Sequence, residues 1–312
     1  MEMFKMKNPL KTLLLATATA DALGVPVEFE PREDLQEDPV MDMQEFGTHD
    51  QPKGTWSDDT SLMLCLAECI IEGLDLQRLA QKFIAWKNDN YWTARGWVFD
   101  IGIGTRIAIE RLENGTPPEL AGGFMESDNG NGSLMRILPL ILFTKELEIN
   151  QRYQWTKKVS SLTHAHIRSV MACFYYLEFA RKILEGKEKF IAYKELQTEI
   201  KHFFENLEIN PSEIAHYNRL LLEDISSVSE DEIQSRGYVV YTLEASIWCI
   251  LTTNSYKEAV LKAVNLGEDT DTTAAVTGGL AGLIYGEASI PEEWLQVVAR
   301  KEDIIALSNK YV

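Results

Sequence analysis

The chain has 312 residues, 45% hydrophobic and 25% charged, which excludes a low-complexity or disordered chain and leaves room for a large buried core. Its formal net charge of −18 repels nucleic-acid phosphate, so nucleic-acid binding is not expected, and any anionic substrate would need positive charge supplied locally. No run of about 18 apolar residues is read along the chain, so no membrane span is expected.

The first element begins at Asn8, a good N-cap, with Pro9 at the first helical position, and runs to Gly24 as a C-terminal stop. Lys5, Lys7 and Lys11 ahead of Thr12-Leu13-Leu14-Leu15, followed by small residues up to Ala20, have the outline of a secretory signal. The apolar part is short and threonine-rich, however, and continues unbroken into Asp21-Ala22-Leu23-Gly24. A helix of a folded cytoplasmic protein is therefore expected. The polar stretch 31–54 reads as an irregular loop long enough to cover a site. Ser57 caps a helix with Asp58 and Asp59 in its first turn, ending near Gly73. Asp75 opens the next, where Leu76, Leu79, Phe83 and Trp86 form one apolar stripe.

Further helices are predicted over 104–113, over 133–143 as a buried central helix despite Pro139, over 151–162 behind an Asn150 cap, and over 166–184. The segments 190–207 and 212–224 are more polar and belong outside. Helices over 242–253, 256–266, 271–285 and 291–300 complete the set. Strand–helix alternation, fixed-period repeats and Pro/Gly/Ser-rich linkers are not seen, so the fold class is all-α, a single compact orthogonal helical bundle spanning 1–312. Cys65, Cys69, Cys173 and Cys249 lack zinc-ligand spacing and read as buried reduced thiols.

Chemistry concentrates in two acidic clusters. Ser57-Asp58-Asp59-Thr60 and Asp269-Thr270-Asp271-Thr272 each combine two carboxylates with hydroxyls at a helix start. Hard cations such as Mg²⁺, Mn²⁺ or Ca²⁺ take oxygen ligands, and neither cluster holds the histidine or cysteine that zinc favours. One such cluster alone reads as ordinary helix capping. Two, the second opening onto the small-residue run Ala274-Ala275-Val276-Thr277-Gly278-Gly279 of a buried helix, point to a shared metal. Gly130-Asn131-Gly132-Ser133-Leu134-Met135-Arg136 reads either as an anion-binding turn at a helix start or as a plain tight turn with an N-cap. Arg136 either adds charge there or pairs with a buried carboxylate. His164 reads as a capping or hydrogen-bonding group. Asp100, after the aromatic-rich stretch 91–97, lines a pocket for a cationic or planar group or belongs to the core. Glu28 is an acid between apolar neighbours, and an exposed turn side chain is its plain alternative.

Taken in order, Asp21-Ala22-Leu23-Gly24, Pro26-Val27-Glu28-Phe29, Thr55-Trp56-Ser57-Asp58-Asp59-Thr60, Asp100-Ile101-Gly102, Gly130-Asn131-Gly132-Ser133-Leu134-Met135-Arg136, Thr163-His164 and Gly267-Glu268-Asp269-Thr270-Asp271-Thr272 resemble the ADP-ribosylglycohydrolase family, the group of dinitrogenase reductase-activating glycohydrolase. The resemblance implies an all-α fold with a binuclear Mg²⁺ or Mn²⁺ centre, ligated by Ser57, Asp58, Asp59, Asp269, Asp271 and Thr272. It places Glu28 as an acid close to the metals and Asn131, Gly132, Ser133 and His164 at the ADP-ribose phosphates and riboses. Asp100 falls where arginine-directed members have an acid near the guanidinium. Glu28, Asp59 and Asp100 are thus the expected catalytic acids. Ser57 departs from the threonine of many members but keeps the hydroxyl. The implied activity is removal of ADP-ribose from modified protein side chains, arginine-linked in preference to serine- or other O-linked, with ADP-ribose as product. Competing functions are a non-catalytic ADP-ribose-binding or structural protein on the same scaffold and a two-metal phosphohydrolase. Nothing specific is read into 185–232.

Overall fold

A computed structural model describes residues 7–311; Met1 and Lys5, and with them the ends of the expected 1–312 domain, lie outside the described residues. Seventeen α-helices are present among these residues, joined by short turns, and the few β contacts are isolated bridges such as Gly130 with Tyr238. The all-α expectation holds.

The organising pair is the Pro9–Gly24 helix and the Thr270–Tyr285 helix, both almost wholly buried. Small residues at four-residue spacing let their backbones nearly touch. A Cβ added at Gly282 would lie 2.4 Å from the Ala16 Cβ, one at Gly278 2.3 Å from the Ala20 Cβ, and one at Gly24 2.4 Å from the Asp271 Cα. Rising numbers in one helix match falling numbers in the other, so the pair is antiparallel. That register sets the end of the first helix, with Asp21, against the start of the last long one, with Asp269 to Thr272. Thr270 fixes the contact by donating its hydroxyl to the Gly24 carbonyl at 2.8 Å. The α-helix ends at Gly24 as expected, with φ −81° rather than a left-handed stop, and the chain continues into a 3-10 turn, Val25–Val27; the glycine also permits the close approach.

Residues 9–27 are, against expectation, long and apolar enough to cross a membrane by length and composition, and 94% of that window is buried inside the protein. Leucine, valine and alanine raise the mean hydropathy, and the alanine, threonine and glycine between the leucines leave a surface thin enough for another helix to dock.

Several predicted caps are present. Asn8 accepts from the Lys11 amide at 2.9 Å, and Asp75 from the Arg78 amide at 2.8 Å. Leu79, Phe83 and Trp86 are buried and Leu76 half-buried. All four cysteines are buried and free. Five expectations need correction. The central segment 133–143 is buried but not one helix: residues 132–139 turn through bonds such as Ile137 N–H to Leu134 O, and regular helix begins at Leu140. Pro139 has no amide to donate, and its ring would strike the carbonyl a turn earlier. The next helix starts at Ile149 with Glu148 as its cap, not at Asn150. The segment 212–224 breaks into Pro211–Ala215 and Asn218–Leu221. The loop 31–54 contains a short helix, Arg32–Glu37, and a further helix, Lys301–Ser308, follows the last one expected.

Candidate functional site

The close helix pair buries Asp21 at a third helix start. Its carboxylate accepts from the Ser57 amide at 2.9 and 3.1 Å, from the Thr60 amide at 3.1 Å and from the Thr60 hydroxyl at 2.6 Å. Asp21 thus caps the Asp58–Ile71 helix from another element and fixes its first turn against the Asp269 loop. Burial pushes its pKa up to about 6, against the lowering effect of those hydrogen bonds.

The two acidic clusters meet there. Ser57 donates to Asp59 Oδ2 at 3.2 Å, and Thr272, 213 residues further on, donates to the same oxygen at 3.2 Å. Asp271 accepts from the Thr272 amide at 2.8 Å, and Asp269 accepts from the Asn131 amide side chain at 2.8 Å. These bonds leave Asp59 Oδ1, Asp269 Oδ1 and Asp271 Oδ2 buried with no hydrogen-bond partner. Glu28, Asp269 and Asp271 offer oxygens within 4.8 Å of one another. Burial first, then mutual repulsion, drives Asp58, Asp59 and Asp271 well above the ordinary carboxylate range. Unpaired buried carboxylate oxygens are costly, and a set of them facing one another is the environment a hard divalent cation neutralises. The donor set, all oxygen, fits Mg²⁺ or Mn²⁺.

A cleft of about 420 Å³ opens over this floor, lined on one side by Glu28, Asp58, Asp100, Asp269 and Thr272. Its other wall is the glycine-rich turn. Asn131, Gly132 and His164 line it. His164 is seated among backbones: a Cβ on Gly104, Gly130 or Gly132 would come within 3.2, 3.3 or 2.7 Å of its ring. Its Nδ1 is 2.8 Å from the Thr163 hydroxyl. Burial, reinforced by Arg136, holds its pKa down to about 3, so the imidazole is neutral.

Two residues of this turn are placed otherwise than expected. The Ser133 hydroxyl points away from the cleft, accepting from Ser160 at 2.9 Å and lying 3.4 Å from Cys173 Sγ. Its hydroxyl is engaged behind the turn. Arg136 is fully buried and donates to the carbonyls of Gly132 at 2.8 Å and Val159 at 3.2 Å, with its guanidinium over the Phe83 ring. It braces the turn from behind, and its charge reaches the cleft only as a field on His164 and Asp58, not as a ligand.

At the mouth, Glu28 is 4% exposed, not a solvent-facing turn residue. Burial and the nearby Asp100, Asp269 and Asp21 push its pKa up to about 10. Asp100 is half-buried beside it.

The chain as a whole has known relatives. The chain matches the ADP-ribosylglycohydrolase family over residues 7–312. It belongs to that family. It is 32% identical to ADP-ribosylarginine hydrolase Tri1 of Serratia proteamaculans, covering 96% of this chain and 78% of that one. It is 27% identical to the ADP-ribosyl-[dinitrogen reductase] glycohydrolase of Rhodospirillum rubrum, covering 92% and 89%. A solved structure described as an ADP-ribosylglycohydrolase-related protein complex superposes with a TM-score of 0.81 at 28% identity, covering 98% of both chains. As a member of this family the chain is a hydrolase of the glycosidase kind.

Within this ADP-ribosylglycohydrolase, the geometry adds two residues to those expected at the site. Asp21 acts through the Ser57 helix, and only its place in the Asp21-Ala22-Leu23-Gly24 segment marked it. His49 touches the Glu28 carboxylate and was hidden in what read as an irregular loop.

Proposed function

We propose that this protein releases ADP-ribose from modified arginine side chains of proteins, with two divalent cations, Mg²⁺ or Mn²⁺, held by Ser57, Asp58, Asp59, Asp269, Asp271 and Thr272. The observation that carries the reading is the set of three partnerless buried oxygens, on Asp59, Asp269 and Asp271, under an open cleft. When bound, the cations supply Lewis acidity and the positive charge that an anionic nucleotide needs on a chain of net charge −18.

The chain's own groups then divide the work. Gly130 and Gly132 let the His164 ring pack against the turn that lines the cleft, and neutral His164 offers the nucleotide a hydrogen bond without charge. Asn131 steadies Asp269. With cations bound to neutralise the acids around it, Glu28 is ionised and receives the proton of a water attacking the anomeric carbon. As the C–O bond forms and the C–N bond breaks, positive charge grows at the anomeric carbon, which the carboxylates of the cleft floor would stabilise. The departing guanidine takes the bonding electron pair and the proton that Glu28 took from the water, and Asp100 would pair bidentately with the resulting guanidinium. The relatives named ADP-ribosylarginine hydrolase, from Serratia proteamaculans and Pseudomonas putida, support arginine as the acceptor.

The test is release of free ADP-ribose from arginine-linked and serine-linked protein, with and without Mn²⁺. Metal-dependent release from the arginine-linked substrate alone supports the proposal. Release only from the serine-linked substrate makes it an O-linked hydrolase, and release of AMP or phosphate makes it a phosphohydrolase. Binding of ADP-ribose without turnover makes it a non-catalytic member.

A further inference from the structure

We infer that His49 is a positioning residue for the reaction: its imidazole fixes the Glu28 carboxylate in the cleft beside Asp100, so that this acid is held ready for the attacking water. The inference rests on the reading of Glu28 given above. His49 Nε2 is in contact with Glu28 Oε2. His49, Glu28 and Asp100 each offer an atom within 4.8 Å of the others, so the imidazole is the nitrogen donor placed among these acids. The ring is itself confined, with its centroid 6.0 Å from that of Phe29 and 5.3 Å from that of Phe99.

The loop that carries it is tied to the strip it serves. Thr48 donates its hydroxyl to the Glu28 carbonyl at 2.7 Å, and Gln51 donates its side-chain amide to the His49 carbonyl at 2.8 Å. Gly47 adopts φ +59°, and a Cβ there would lie 1.9 Å from the Pro26 carbonyl oxygen, so the loop approaches closer than any other residue type permits. Left-handed backbone at non-glycine residues gathers around the same spot: Phe29 follows Glu28 (φ 68°), Phe46 and Asp50 flank the His49 turn (φ 65° and 51°), and Asp100 has φ 46°. Side chains held in that region are unfavourable and persist where the surroundings impose them. Here they aim three polar groups at one point.

The chemistry predicts which replacement works. A Gln amide reaches about as far as Nε2 and can donate to the same oxygen, whereas an Asn amide mimics Nδ1 and falls short. With the full-length protein at saturating Mn²⁺, His49→Ala is expected to lower kcat by roughly 10- to 100-fold, the scale on which displacing a catalytic group by about 1 Å acts. H49Q is expected to recover most of the loss and H49N little, with KM, the ADP-ribose Kd by calorimetry and the thermal midpoint all near wild type. An unchanged kcat in H49A overturns the inference. So does equal loss in all three variants, which with a lowered midpoint makes His49 only structural and with an unchanged midpoint makes the imidazole itself the requirement. Wild-type protein in the same assay separates the two levels: if it releases no ADP-ribose, the proposed function fails, whereas the inference is judged only on ratios between active proteins.

Discussion

Glu178 and the cleft acids are equally buried and follow opposite rules. Glu178 is 2% exposed and accepts from Arg152 at 2.5 and 2.8 Å and from Arg181 at 3.0 Å, so its charge is answered inside the chain. Asp59 and Asp271, no more exposed, find only hydroxyl and backbone donors, and each keeps one oxygen without a partner. The first arrangement is complete as folded and serves stability. The second needs a cation from outside, and that need is what makes it a working site.

The contrast breaks most sharply on activity. Asp59→Ala or Asp271→Ala is expected to lower kcat/KM for ADP-ribose release by on the order of 1000-fold. Removing a repelled carboxylate should leave the thermal midpoint of metal-stripped protein unchanged or higher. Full activity in either variant would remove the carboxylates from the mechanism. Glu178→Ala should do the reverse, costing about 1–3 kcal/mol in urea unfolding because two half-buried guanidiniums lose a shared partner, with activity per folded molecule retained. A wild-type unfolding midpoint for E178A would erase the distinction.

Acidity sharpens it further. In metal-free protein Asp21 is raised to about 6 and Glu28 to about 10, whereas an unfolded carboxylate titrates near about 4. Below that pH both states hold their protons and the contribution to stability is full. As pH rises, the unfolded chain releases protons that the folded one keeps, and stability falls until the folded groups ionise, near 6 for Asp21 and 10 for Glu28. Metal-stripped protein should therefore unfold at a higher temperature at pH 5 than at pH 8, and Mn²⁺ should abolish that trend. A stripped protein more stable at pH 8 would contradict the repulsion described for the cleft. The smallest effect concerns the acceptor. Asp100→Asn is expected to raise KM for arginine-linked ADP-ribose about 10-fold, the loss of one charged hydrogen bond, with ADP-ribose affinity unchanged. An unchanged KM would detach Asp100 from the guanidinium.

Much of the helical framework was legible because caps and stripes are local. Asn8 and Asp75 cap where their sequence neighbours predict, and Leu79, Phe83 and Trp86 share a buried face. The acidic clusters were legible as a pair because each carries its hydroxyls with it. What failed was non-local. Ser133 sits in a motif that points to the cleft, yet its side chain turns to Ser160. Arg136 looks like an anion ligand and instead holds two carbonyls. Glu28 was legible as an acid near the metals only through the resemblance, because its burial comes from the Asp269 loop and the His49 turn, which are distant in sequence. Pro139 could be read as tolerable in a helix only without seeing that the chain must turn there to present Asn131 and Gly132.

The central claim is that the partnerless oxygens on Asp59, Asp269 and Asp271 hold divalent cations. Calorimetric titration of metal-stripped protein with Mn²⁺ tests it most directly. The account predicts two ions bound per chain, a matching rise in the thermal midpoint, and loss of both on replacing Asp59 and Asp271 by Asn. No binding, or binding that survives those replacements, would contradict it.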